Sequence, residues 1–202
     1  MAGGRLMIPS IDQCCELMDQ YRMLDNIRAH SFMVARVAAL IAHGLRKADV
    51  FVAIEPVIAG ALLHDIAKTP CLHNGENHAI VGRDICLQHG LDELAEIVAE
   101  HVVLRGAITE LGASAKEIVN YADKRVRHDQ VVSLEERKEY LVGHYGRDDL
   151  KLCQLIQDNF VTIRLLEQRL FVQLDFGPDD IAGLVADRTR WDALLLPLEL
   201  FL

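Results

Sequence analysis

His64 and Asp65 stand side by side at the end of the apolar run Ile58-Ala59-Gly60-Ala61-Leu62-Leu63, so an imidazole and a carboxylate fall where core side chains belong. A carboxylate taken out of water is either neutralised by a cation or paired within the fold, because leaving it alone is costly. One metal ion would satisfy both side chains. His30, His78 and His101, with Asp123, fall on or beside other apolar helical stripes, which completes a six-residue set of nitrogen and oxygen ligands. Imidazole with carboxylate and no thiolate suits Fe, Mn, Zn, Ni or Co, whereas Mg normally prefers oxygen alone; the residue types leave the ion's identity open. A divalent ion lowers the pKa of bound water from 15.7 to as little as about 7 and polarises a phosphoryl or carbonyl oxygen. The chemistry this set could do is hydrolysis at a metal centre.

Helical phase sorts the nine histidines. His30, His64, His78 and His101 are in phase with apolar neighbours, while His43 shares a polar side with Arg36 and Lys47, and His89 precedes a helix-ending glycine. His73, His128 and His144 fall in loops or at element ends. A single inward histidine is more often a hydrogen-bonded core residue than a ligand, but four of them with two aspartates favour a metal. Structural ion pairing could absorb Asp65 or Asp123, yet few cations fall on the inward stripes.

Several residues near this set could meet an anion. Lys68 follows Asp65 by three positions on nearly the same helix face, so it either reaches a substrate phosphate or serves as a cation at a helix C-terminus. Arg105 comes one helical turn after His101. Lys124, Arg125 and Arg127 flank Asp123 in the chain's one dense basic run, either a solvated face or an anion clamp. Glu76 and Asn77 precede His78; they could orient water or substrate, and Asn77 equally suits a helix N-cap.

The elements that must position these residues read as helices throughout, and strand signals are scarce, so the fold class is all-α. The spacing predicts helices over about 10–24 and 26–46, then one from Glu55-Pro56 to Lys68 that is apolar nearly all round and therefore central. The stretch 69–77, with Pro70 and Asn74-Gly75, predicts a loop beside that helix end. Further helices are expected over about 78–89, 91–103 and 115–127. Ser133-Leu134-Glu135-Glu136 reads as a capping box for a helix to about 143. The pattern Leu152, Leu155, Ile156, Ile163, Leu166, Leu170 marks a long helix after Asp148, and Gly177-Pro178 precedes a last helical pair. The final 70 or so residues hold no ligand set and are assigned to packing, dimerisation or substrate shaping.

The 202 residues, 51% hydrophobic, suffice for one main core with a C-terminal addition. Thirty acidic against 21 basic side chains give a net charge of −9, which argues against a general nucleic-acid binder and leaves room for a small anionic substrate. Five cysteines form no C-x-x-C pair and are odd in number, so a reducing, cytoplasmic setting is expected. No window reaches the roughly 18 uncharged apolar residues of a membrane span. A soluble chain with no membrane partner is expected, and a homodimer is compatible with the C-terminal helices.

The order His30, His64-Asp65, Asp123 resembles the signature of the HD-domain metal-dependent phosphohydrolase superfamily. Asn26-Ile27-Arg28-Ala29-His30-Ser31 is similar to its first ligand helix, and Leu62-Leu63-His64-Asp65-Ile66-Ala67-Lys68 to its central motif. The resemblance covers about residues 20–128 and implies an HD helical bundle over 10–130, with helices of 131–202 packed on it. His78 and His101 lie between the central motif and Asp123, at intervals of 14, 23 and 22 residues, and resemble the additions of the dinuclear subgroup. The resemblance then implies that His30, His64, Asp65 and Asp123 hold one ion, and His78, His101 and a bridging Asp65 the second. Asp65 and Lys68 would be catalytic, with Lys68, Arg105, Lys124 and Arg127 meeting a small phosphorylated substrate, a nucleotide by resemblance. Ala67-Lys68 and the following loop look most like bacterial hydrolases that split diadenosine tetraphosphate symmetrically. Val102-Val103-Leu104-Arg105-Gly106 stands where HD-GYP relatives carry Gly-Tyr-Pro, which turns the reading away from cyclic dinucleotides. A metal-loaded regulatory module that binds a nucleotide without turnover is the alternative.

Overall fold

The structure is a computed structural model that describes residues 8–106, 112–146 and 149–187. Its helices are α1 (Ile11–Gln20), α2 (Asp25–Lys47), α3 (Ile54–Leu63), α4 (Lys68–Cys71), α5 (His78–Gln88), α6 (Asp92–Glu100), α7 (Ala115–Lys124), α8 (Leu134–Tyr145), α9 (Leu150–Phe171) and α10 (Ile181–Ala186). A single short antiparallel ribbon, β1 (Val126–Arg127) with β2 (Gln130–Val131), joins α7 to α8 among the described residues. The fold is all-α, as the periodicity predicts.

Local chemistry starts the helices where it should. Ser10, Ser114 and Ser133 each accept a hydrogen bond from the backbone three residues on, while Gln13, Glu117 and Glu136 reach back to the cap residue's N–H. Each reciprocal pair satisfies two otherwise orphaned donors. Asn77 caps α5 by accepting from the Ala79 N–H, so the capping reading of that residue holds.

The core is built around α3, in which every residue from Val57 to Leu63 is buried. It packs against α2, whose inward face carries Val34, Val37, Ala38, Ile41 and Leu45. On its other side α6 comes unusually close. A Cβ on Gly60 would sit 2.6 Å from Ile97 Cγ2, so only glycine allows that approach. Gly82 does the same for α5 against α6, where an added Cβ would meet Val98 Cγ1 at 2.7 Å. These contacts bring the ends of α3, α5 and α6 to one place.

Several helices stop earlier than their apolar pattern suggests. The central helix ends at Leu63 and not at Lys68, because the next turn tightens into Ile66 N–H to Leu63 C=O and Lys68 N–H to Asp65 C=O bonds. α6 ends at Glu100 and not near 103, where the Arg105 N–H is taken by the Glu100 carboxylate at 2.8 Å. α7 ends at Lys124 and not at 127, since Val126 and Arg127 leave to form the ribbon. In α9 the residues Ile163, Leu166 and Leu170 are buried as expected, but Leu155 is 65% exposed. α10 is the first of the expected last pair; its partner would fall beyond residue 187, outside the described residues.

Candidate metal centre

Five helix ends or faces deliver the six expected ligands to one pocket. His30 comes from α2, His64 and Asp65 follow α3, His78 opens α5, His101 follows α6, and Asp123 sits in the last turn of α7. His30, His64, Asp65, His101 and Asp123 are all buried, and His78 is half-buried. His30 Nε2 lies 3.0 Å from Asp123 Oδ1, and His64 Nε2 is 3.5 Å from Asp65 Oδ2 and 3.8 Å from Asp123 Oδ1. On the other side of Asp65, its Oδ1 is 3.3 Å from His78 Nε2 and 3.5 Å from His101 Nε2. Two ligand groups result, His30-His64-Asp65 and Asp65-His78-His101, and they share Asp65.

The backbone decides which nitrogen each ring offers. His30 Nδ1 donates to the His128 carbonyl at 2.8 Å, His64 Nδ1 to the Ala61 carbonyl at 2.7 Å and His101 Nδ1 to the Val98 carbonyl at 2.6 Å. A carbonyl only accepts, so in the neutral ring each Nε2 carries a lone pair directed at the carboxylates. Burial pushes the His64 pKa down to about 3, against the pull of Asp65, so this ring is neutral near pH 7. His64 Nε2 and Asp65 Oδ1 are both buried and have no hydrogen-bond partner. Each of these orphaned ligand atoms would cost roughly 1–3 kcal/mol without a partner. A cation bound beside each, in the two ligand groups that share Asp65, removes that penalty, and the donor set is of the kind that Fe, Mn, Zn, Ni and Co accept. The residues fit a divalent metal.

The two carboxylates are ionised despite their burial. Burial alone would raise the Asp65 pKa, but the Lys68 ammonium bonded to it holds it well below the usual carboxylate range. For Asp123 burial is likewise outweighed, by the Lys124 ammonium and the Arg137 guanidinium. Lys68 Nζ donates to Asp65 Oδ2 at 2.6 Å, and its ammonium is stabilised by Asp65 more than burial disfavours it. Lys124 Nζ donates to Asp123 Oδ2 at 2.7 Å and to the His101 carbonyl at 2.8 Å, tying two ligand positions together.

Of the expected anion-binding residues, Lys68 and Lys124 line the cavity of about 730 Å3 that opens from the cluster, and so does Glu76. Arg105 and Arg127 do not. Arg105 leaves the cavity because α6 has already ended, so the helical-turn relation to His101 does not exist. Arg127 lies in the ribbon with its guanidinium 5.9 Å from the Tyr140 ring centre. Arg125, also in the basic run, is buried and spends its donors on the Val132 and Pro178 carbonyls and Tyr121 Oη.

The sequence reading missed Arg137. It is buried, lines the cavity, places its Nη2 3.8 Å from Asp123 Oδ1, and leaves Nε without a hydrogen-bond partner. A signal was present: Leu134, Arg137 and Leu141 fall at helical spacing on one stripe, a cation in phase with apolar side chains. Also missed was the wall that α8 and α9 give the cavity, through residues such as Leu141, Tyr145, Leu152 and Ile156.

The HD-domain family model matches residues 27–158, a stretch that runs on through α8 into α9. The chain is 35% identical over 160 residues to a tRNA (cytidine(56)-2'-O)-methyltransferase of Thermoplasma volcanium, covering 76% of this chain and 42% of that protein. A tRNA (cytidine(56)-2'-O)-methyltransferase of Picrophilus torridus is 30% identical over 152 residues, covering 67% and 42%. The chain thus spans less than half the length of either methyltransferase. An uncharacterized protein of Methanocaldococcus jannaschii is 29% identical over 133 residues, which are 56% of this chain and 78% of that one. The crystal structure of a predicted HD superfamily hydrolase from an uncultured Thermotogales bacterium superposes with a TM-score of 0.46 at 14% identity, covering 82% of this chain and 93% of that one.

Proposed function

We propose, from the premise that the chain belongs to the HD-domain family, that it is a metal-dependent phosphohydrolase acting on a small phosphorylated compound. The observation that carries this reading is the pair of buried, unpartnered ligand atoms, His64 Nε2 and Asp65 Oδ1, inside a ring of imidazoles that their backbone carbonyls hold in place. His30, His64, Asp65 and Asp123 would hold one ion, and His78 and His101 with Asp65 a second. Bound there, a divalent ion would make a nucleophilic hydroxide available near neutral pH and polarise the phosphoryl group. The chain's own cations do the rest. Lys68 and Arg137 face the cavity and would stabilise negative charge on the phosphoryl oxygens, while Lys124 holds Asp123 and the His101 carbonyl in register.

Methyl transfer to tRNA, the activity named for two relatives, is not carried over. The chain spans 42% of those proteins, and its net charge of −9 gives little to neutralise a polynucleotide.

The test is elemental analysis of the purified protein joined to phosphate release from phosphomonoesters, dinucleoside polyphosphates such as diadenosine tetraphosphate, and cyclic dinucleotides. Turnover that vanishes in Asp65→Ala along with bound metal supports the reading. A metal-loaded protein that binds a nucleotide yet hydrolyses nothing in the panel would select the regulatory module instead.

A further inference from the structure

The cavity beyond the cluster has two unlike halves. At the metal end stand Lys68, Lys124 and Arg137. Away from it the wall is mostly hydrocarbon. Five of the twelve exposed large apolar side chains among the described residues, Leu72, Val102, Val103, Tyr145 and Leu155, line this one cavity. An apolar patch gathered at the mouth of a polar site marks what that site takes in, since apolar residues scattered singly need no such explanation.

Charge limits how much phosphate fits. Among the described residues, the cavity's three cations face four carboxylates, Asp65, Glu76, Asp123 and Asp158. Lys68 and Lys124 are already bonded to Asp65 and Asp123, and among the described residues Arg137 Nε is the buried cationic atom of the cavity that has no partner. That arrangement suits one phosphate beside the metal, and no further cation among the described residues lines the cavity for a polyphosphate chain. Several distal polar groups are partly engaged: Asn159 Nδ2 donates to the Val102 carbonyl at 3.1 Å, Asp158 Oδ1 accepts from Gln154 at 2.8 Å, and Glu76 is bonded to Asn74. The apolar side chains therefore make up most of what a bound group would touch beyond the metal end.

We infer that the substrate is a phosphate monoester of an apolar alcohol, its single phosphate held at the metal end by Lys68 and Arg137 and its hydrocarbon laid along Leu152, Leu155, Ile156 and Tyr145. This rests on the phosphohydrolase reading for its chemistry, but the ligand class is testable without turnover. Hydrolysis breaks the P–O bond, water supplies the oxygen, and the leaving alcohol departs with a proton along the apolar wall.

The experiment measures binding of n-alkylphosphonates, from methyl to octyl, to the protein loaded with the metal its elemental analysis identifies, by calorimetry. In parallel it measures kcat/KM for the matching alkyl phosphates and for adenosine monophosphate. Each methylene that enters the apolar wall should tighten binding by up to about fourfold. Leu155→Gln, at a site exposed enough to accept a polar side chain, should flatten that dependence. Affinity independent of chain length, a higher kcat/KM for adenosine monophosphate than for octyl phosphate, or an unchanged slope in Leu155→Gln overturns the inference. Chain-length-dependent binding without phosphate release supports the ligand class and removes the hydrolase reading.

Discussion

His78 Nε2 and His101 Nε2 face each other at 3.1 Å, with Asp65 Oδ1 3.3 Å and 3.5 Å from them. His101 already spends its Nδ1–H on the Val98 carbonyl, so in the neutral ring its Nε2 offers only a lone pair. Without metal, the contact needs a proton from His78; a cation in the same gap replaces that proton. His78→Ala and His101→Ala should therefore each bind fewer metal equivalents per chain and lose at least about a hundredfold in kcat/KM, the upper end of what even an outer partner of a ligand costs. Metal content by elemental analysis and steady-state rates check this. Full metal content in both variants would remove this half of the cluster from the ligand set.

All six proposed ligands were legible in the sequence because each is a polar residue in phase with an apolar stripe, a mismatch that periodicity exposes. The structure brings all six together. Arg105 and Arg127 fall outside the cavity because tertiary contacts end the helices before them: α6 stops at Glu100, one turn short of carrying Arg105 beside His101, and the ribbon takes Arg127 out of the basic run next to Asp123. Glu100 captures the Arg105 N–H, and Val126 pairs with Val131, and neither event leaves a periodic trace. Arg137 is hard to read from sequence because a cation inside a capping-box helix looks like surface, whereas the structure buries Leu134 in the core and turns Arg137 and Leu141 toward the cavity. The cavity wall on α9 was legible as apolar, but not that Leu155 would stand exposed at a mouth and Leu166 sealed in a core.

Arg137 is expected to bind the substrate phosphate. A charge-assisted hydrogen bond from a buried guanidinium contributes about 1.5–3 kcal/mol, so Arg137→Ala should lower kcat/KM by roughly ten- to a hundredfold and weaken inhibition by inorganic phosphate. Arg137→Lys should recover part of the loss. Asp123 keeps its bond to Lys124 at 2.7 Å in either variant, so the fold and the metal content should persist. Unchanged phosphate inhibition in Arg137→Ala would exclude the role.

His128 holds a metal ligand through its backbone. It adopts φ 57 in the turn between β1 and β2, and its carbonyl accepts the His30 Nδ1–H at 2.8 Å. The left-handed conformation costs a non-glycine residue about 1–2 kcal/mol. His128→Gly should therefore fold with unchanged metal affinity, since the carbonyl and the turn both remain. A β-branched His128→Val should lower the urea midpoint and weaken metal binding together, because it drives the turn away from positive φ and takes the carbonyl with it. Weakened metal binding in His128→Gly would show that the imidazole, and not the main chain, serves the site.

Glu117 gives the fold a pH dependence away from the metal ligands. Its carboxylate, buried in α7, accepts from the Ser114 N–H and Oγ, each at 2.8 Å, and lies 3.0 Å from Arg169. Burial alone would raise its pKa, but the two Ser114 bonds and Arg169 outweigh it and hold the folded-state value below 4.5. A carboxyl that is more acidic folded than unfolded contributes stability that is complete above 4.5 and is lost as pH falls through the folded value. Glu117→Gln keeps an acceptor for Ser114 but no charge for Arg169. Its urea midpoint should lie below that of the parent at about pH 7, and the gap should close as pH is lowered past about 4.5. A gap that stays constant down to about pH 3 would mean that the ionised carboxylate, as distinct from the cap hydrogen bonds, contributes nothing to holding α7 and so Asp123 in place.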